Sequence, residues 1–127
     1  MTEATVSEFE ALNGKLQGVY EEAVNLSKKS AADPFNKFKL NITNAILSSA
    51  NKYLASLSRP VAVDGFSQFE DTDLPSNSDV AFVLSQYLAA FESLRIDNIT
   101  HSAGNWYWVI NGASTGVRTA PPRKLRI

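Results

Sequence analysis

The sequence contains no cysteine. That absence excludes a disulfide framework, a thiolate zinc site and a cysteine nucleophile, and an oxidising compartment has left no mark. Histidine occurs once, at His101. Nothing in the chain resembles a glycine-rich phosphate loop, a nucleophile elbow, a metalloprotease helix or zinc-ligand spacing. No cofactor and no metal is therefore expected. No apolar run approaches a membrane span, and Met1-Thr2-Glu3-Ala4-Thr5 lacks the basic and apolar regions of a secretory signal. A cytoplasmic protein without membrane attachment is the expectation. Sequons at Asn25, Asn41 and Asn98 do not change it, because the first two fall in predicted helices.

What is present suits one soluble globular domain over residues 1–127. At this length a chain buries roughly two-thirds of the surface it exposes when unfolded. Hydrophobic residues make up 44% and charged residues 20%, well away from disordered compositions. Net charge is −1, but its distribution is uneven. Residues 58–97 carry seven acids against two bases, and residues 98–127 carry four bases and no acid. Such asymmetry fits either an internal match between tail and acidic segment or a surface for an anionic partner, and the internal match is the simpler.

Phe9, Leu12, Leu16, Val19, Ala23 and Leu26 recur at alternating spacings of three and four, which predicts a helix over about 6–29. Thr5 with Glu8, or Ser7 with Glu10, would form its capping box. Gly14 and Gly18 cost such a helix roughly 1 kcal/mol each relative to alanine, so close packing against them is expected. Asp33-Pro34 suggests the start of a second helix over about 34–57, with Phe35, Phe38, Ile42, Ala45, Ile46, Tyr53 and Leu57 on its inward face. The short link makes the two helices antiparallel neighbours.

Residues 60–75 have no helical period, yet Val61, Val63, Phe66 and Phe69 predict an ordered loop that packs as it crosses. Ser76 and Asp79 then cap a third helix over about 77–96. Eleven of the fifteen residues from Val80 to Leu94 are hydrophobic, so this helix must be central, and any uncovered remainder points to a subunit interface.

Asn111-Gly112 is a type I′ hairpin signal, predicting strands over about 105–119 with Trp106 facing Val117, Trp108 facing Thr115 and Ile110 facing Ala113. Trp106, Trp108, Ile110 and Val117 would share one face resting on the helices, and Tyr107 and Val109 the other. The tail 120–127, with Leu125 and Ile127 alternating against Lys124 and Arg126, reads as extended. It suits a third strand in the same sheet, or addition to another chain. The fold class is α+β: three helices with a central third, then an antiparallel hairpin or three-stranded sheet.

Function is less constrained. The nearly all-apolar third helix, in a chain without recognisable chemistry, points to a non-enzymatic protein-interaction module, a homodimer or an accessory subunit. Phe82, Tyr87, Phe91 and Tyr107 are its candidate contacts. The alternative is single-stranded nucleic-acid binding through the aromatic hairpin and Arg118, Arg123, Lys124 and Arg126, supported by Lys28, Lys29, Lys37 and Lys39. Against it stands a pI of about 5.8. A small enzyme would need His101, Asp97 and Tyr107 to converge in one pocket. The acidic run Glu70-Asp71-Thr72-Asp73 fails the calcium-loop pattern and suits helix capping.

Overall fold

The computed structural model describes residues 1–123, apart from the side chains of Ser114 and Thr115. Helices α1 (Glu3–Ser30), α2 (Lys37–Ser56) and α3 (Asn77–Ile96) come first. Strands β1 (Ile99–Ser102), β2 (Asn105–Ile110) and β3 (Ala113–Thr119) follow and form an antiparallel sheet in the order β1-β2-β3. The architecture is α+β, as the patterning indicates, with a three-stranded sheet.

Its third strand precedes the hairpin. β1 lies between α3 and the hairpin, outside the strand range of about 105–119 expected from the sequence, and it pairs Ile99 with Trp108 and His101 with Trp106. Ala103 and Gly104 connect it to β2, with φ of 50° and 81°. Both central residues of a type I′ turn need this left-handed conformation. Among the described residues the tail contributes no strand, and Lys124–Ile127, including the expected alternation, lie outside them.

Helix starts also differ from the sequence pattern. For α1, the Thr2 hydroxyl accepts the Thr5 N–H at 3.1 Å and the Thr5 hydroxyl accepts the Thr2 N–H at 2.7 Å. This reciprocal pair replaces the glutamate boxes expected at Glu8 or Glu10. For α2 the cap is Asn36, whose Oδ1 accepts the Lys39 N–H at 3.0 Å. The Asp33-Pro34 segment instead ties to the start of α3: the Asp33 carbonyl accepts the Asn77 N–H, and the Phe35 N–H donates to the Pro75 carbonyl. Ser76 caps α3 through the Asp79 N–H at 3.1 Å.

The core forms where all three helices meet the sheet. Phe9 lies 5.3 Å from Phe91 and 5.1 Å from Trp108, and Tyr53 lies 5.7 Å from Phe91, measured between ring centroids. Tilted and edge-on aromatic pairs at such separations add to the stabilisation from buried area alone. Trp108 is fully buried, and its indole N–H donates to Glu10 at 3.0 Å. The hairpin is thus a lid on the core at Trp108 and Ile110.

Asn111 and Gly112 take φ of 53° and 76° and place Ile110 opposite Ala113, as their type I′ signal implies. The register then shifts between Val109 and Tyr107, so Trp106 faces Thr119 and Tyr107 faces Arg118. A bulge absorbs extra residues on β3, which is why Val117 is not the partner of Trp106 and is exposed.

The crossing loop packs through Val63, Phe66 and Phe69, whereas Val61, expected to pack with them, is exposed. Asn44 behaves like a strand partner: its amide donates to the Phe69 carbonyl and its oxygen accepts the Phe69 N–H, both at 2.9 Å. Phe66 then stacks edge-on against Phe69 and Tyr87. The loop closes the outer side of α2 and α3 near Asn51, whose oxygen accepts the Tyr87 hydroxyl.

Candidate interaction surface

The decisive feature is which side of α2 faces in. Its buried row is Leu40, Thr43, Leu47, Ala50 and Leu54, at spacings of three, four, three and four. Thr43 fits this apolar row because its hydroxyl donates to the Lys39 carbonyl at 2.9 Å within the helix. Phe38, Ile42 and Ala45 therefore face out, contrary to the inward face expected for them, whereas Phe35 and Tyr53 of the same expected face are buried. Phe38 is 74% exposed and Ile42 46%.

Beside Ile42 opens a pocket of about 140 Å³ floored by Val19, Phe35 and Thr43. Gly18 of α1 forms part of its wall, and Glu22 and Lys39 stand at its rim in a 2.6 Å ion pair. A Cβ built on Gly14 or Gly18 meets no atom within 4 Å. Among the described residues, the close packing expected against these glycines is not found. Phe82 of α3 is a second outlying apolar group, 64% exposed.

The other candidate contacts lie elsewhere. Tyr87 and Phe91 are fully buried, so both are core residues, not contacts for a partner. A helix apolar nearly all round uses these positions to hold α1 and the aromatic cluster, and only the Phe82 side is left open. Tyr107 is half-buried on the sheet face opposite Trp106 and Trp108, across from Arg118. Arg118 donates to the Asn105 side-chain oxygen. With Trp108 in the core, the aromatic platform of the nucleic-acid alternative shrinks to Trp106 and Tyr107 on opposite faces. Lys124 and Arg126 of that alternative lie outside the described residues.

The enzyme constellation does not converge. His101 stacks on Trp106 at 5.1 Å, Tyr107 projects from the opposite sheet face, and Asp97 pairs with Arg59 at 2.8 Å. Among the described residues no three histidine or carboxylate side chains gather as a metal site.

One polar cluster, which brings Glu92 of the acidic segment against Arg123 of the basic tail, is marked by no local motif in the sequence. Arg95 is only 4% exposed and forms a double hydrogen bond to Glu92, at 2.8 and 2.6 Å. The same guanidinium donates to the Thr119 hydroxyl and to the carbonyls of Ala120 and Pro121, while Glu92 accepts the Arg123 N–H at 2.7 Å. Burial works against the Glu92 charge, but hydrogen bonds from Arg95 and Arg123 outweigh it and hold the carboxyl below its ordinary 4.5. Arg95 can also be satisfied because proline carbonyls remain free acceptors in an extended segment. The cluster straps residues 119–123 over a cleft of about 210 Å³ between α1, α3 and β3. Burial likewise raises the Tyr53 and Tyr87 phenols; the Tyr53 hydroxyl donates to the Thr5 carbonyl at 2.6 Å.

Comparison with protein-family models, curated proteins and solved structures finds no match to this chain.

Proposed function

We propose that this protein is a non-enzymatic interaction module that self-associates, as a homodimer or as a repeated subunit of a larger assembly. The reading rests on one observation: Phe38 and Ile42 stand exposed on one face of α2 beside an apolar pocket, although the same helix has a complete buried row of its own. Single exposed apolar side chains need no explanation, but a contiguous set next to a concave apolar site is characteristic of interaction surfaces.

The test is solution mass by light scattering behind a sizing column, across protein concentration, at low and high salt, with and without a mixed single-stranded oligonucleotide. A mass above the 13.9 kDa chain that persists at high salt and ignores the oligonucleotide is expected. Replacing both Phe38 and Ile42 by serine should lower that mass while the diluted, dissociated chain keeps its stability to within about 0.5 kcal/mol, as for ordinary surface positions. Phe91→Ala should instead cost about 3–5 kcal/mol of folding free energy. A chain that stays at 13.9 kDa at all concentrations and gains mass only with oligonucleotide at low salt would overturn the reading. It would favour nucleic-acid contact through Tyr107 and Arg118.

A further inference from the structure

The geometry points to a second copy of this chain as the occupant of the α1–α2 pocket, with Phe38 of each copy seated against Gly18 and Val19 of the other. This inference rests on the self-association reading and specifies its contact. Three features of one surface carry it.

The first is that projection and recess lie side by side. Phe38 stands one helical turn from Ile42, and Ile42 lines the pocket with Gly18 and Val19. A surface that carries both a knob and the hole for it is self-complementary, which a two-fold interface requires. A two-fold axis running along the α1–α2 groove lays α2 of one copy over α1 of its partner. Each Phe38 then meets the partner's recess.

The second is the pair of glycines. Gly14 and Gly18 weaken α1, and among the described residues no atom beyond the adjoining turns of their own helix lies within 4 Å of where a Cβ would stand. Their usual structural reason, close approach of another group, is not met among the described residues. An aromatic ring from a second copy meets it at Gly18.

The third is charge. Across this surface the α1 edge carries Glu21 and Glu22. α2 has no acidic residue from Lys37 to Ser56, and its first turn carries Lys37 and Lys39. Glu22 and Lys39 already pair within the chain at 2.6 Å, so the charges that the same axis sets against each other are Lys37 of one copy and Glu21 of the other. Such matching fixes orientation and disfavours a rotated arrangement.

Two experiments on the full chain test the contact. In the first, Phe38→Asp and Gly18→Leu are compared with Phe82→Asp by light scattering. Phe38→Asp and Gly18→Leu should each raise the dimer dissociation constant at least tenfold, and Phe82→Asp should leave it within twofold. Gly18→Leu is the sharper variant, because filling open space on α1 favours the helix while blocking the recess: the monomer should melt higher as the dimer weakens. In the second, the natural lack of cysteine gives a clean background. Glu21→Cys and Lys37→Cys chains, differently tagged and mixed under mild oxidation, should form the mixed disulfide faster than either like pair. A parent that is monomeric throughout would overturn both this contact and self-association. A dimer indifferent to Phe38→Asp and Gly18→Leu but split by Phe82→Asp would overturn this contact alone, leaving self-association in place through α3. Mixed and like disulfides forming at equal rates would also overturn the contact.

Discussion

At the scale of single residues, Arg95 and Glu92 bear the largest electrostatic stakes. A buried ion pair gains little over a well-packed apolar pair, because both charges must leave water, but removing one partner strands the other. Here Arg95 spends its remaining donors on the carbonyls of Ala120 and Pro121, so losing Glu92 would also loosen the segment after β3. Glu92→Gln is expected to cost up to about 3–5 kcal/mol at neutral pH. The pH dependence has a definite sign. The folded carboxyl lies below 4.5, so its stabilisation is present in full above the unfolded value and is lost as pH falls through the lower folded value. Urea unfolding of the parent and the Glu92→Gln variant from pH 7 to pH 3 should give curves that converge in the acid range. Curves that stay parallel would show that Glu92 does not carry this linkage.

Among the elements, α1 and α2 carry opposite lessons about glycine and about faces. Gly14→Ala fills open space on a regular helix and lies a turn away from the Phe38 recess. It is expected to stabilise the chain by about 1 kcal/mol, the ordinary helix difference between the two residues, read as a shift in denaturation midpoint. A loss of stability would mean that Gly14 has a partner after all. The rhythm of α1 could be read directly, since Phe9, Leu12, Leu16 and Ala23 are indeed buried. α2 could not, because two rows fit its period: Phe38-Ile42-Ala45 and Leu40-Thr43-Leu47. Hydrophobicity favours the first, but a threonine whose hydroxyl bonds within its own helix makes the second equally fit for burial. The candidate surface was hidden by that ambiguity. β1 was hidden by composition. Ile99-Thr100-His101-Ser102 is mostly polar, and its turn uses Ala103 at positive φ, a position for which alanine gives no signal. The Asn111-Gly112 turn was readable, whereas the bulge that shifts Trp106 from Val117 to Thr119 had only Gly116 as a signal, a glycine inside a strand.

For the whole molecule, the question is whether the sheet is an appendage or part of one cooperative unit. The chain's contacts favour the second. Phe9, Tyr53, Phe91 and Trp108 come from α1, α2, α3 and β2, so no one of these elements can leave without opening the same aromatic cluster. Further ties run from the helices to the sheet at separate points: Glu10 to Trp108, Arg95 to Thr119, and the Met1 carbonyl to the Asn111 N–H at the hairpin turn. Each tie joins residues far apart in sequence, so its closure entropy is recovered only when the whole arrangement forms. Unfolding should accordingly be all-or-none. Far-ultraviolet circular dichroism, which reports mainly the helices, and fluorescence of a Trp106→Phe variant, which isolates Trp108, are expected to give one coincident urea transition. An earlier fluorescence transition would mean that the sheet detaches while the helices persist. The aromatic cluster would then be a docking contact between two separately stable layers, and the α1–α2 surface would survive without its lid.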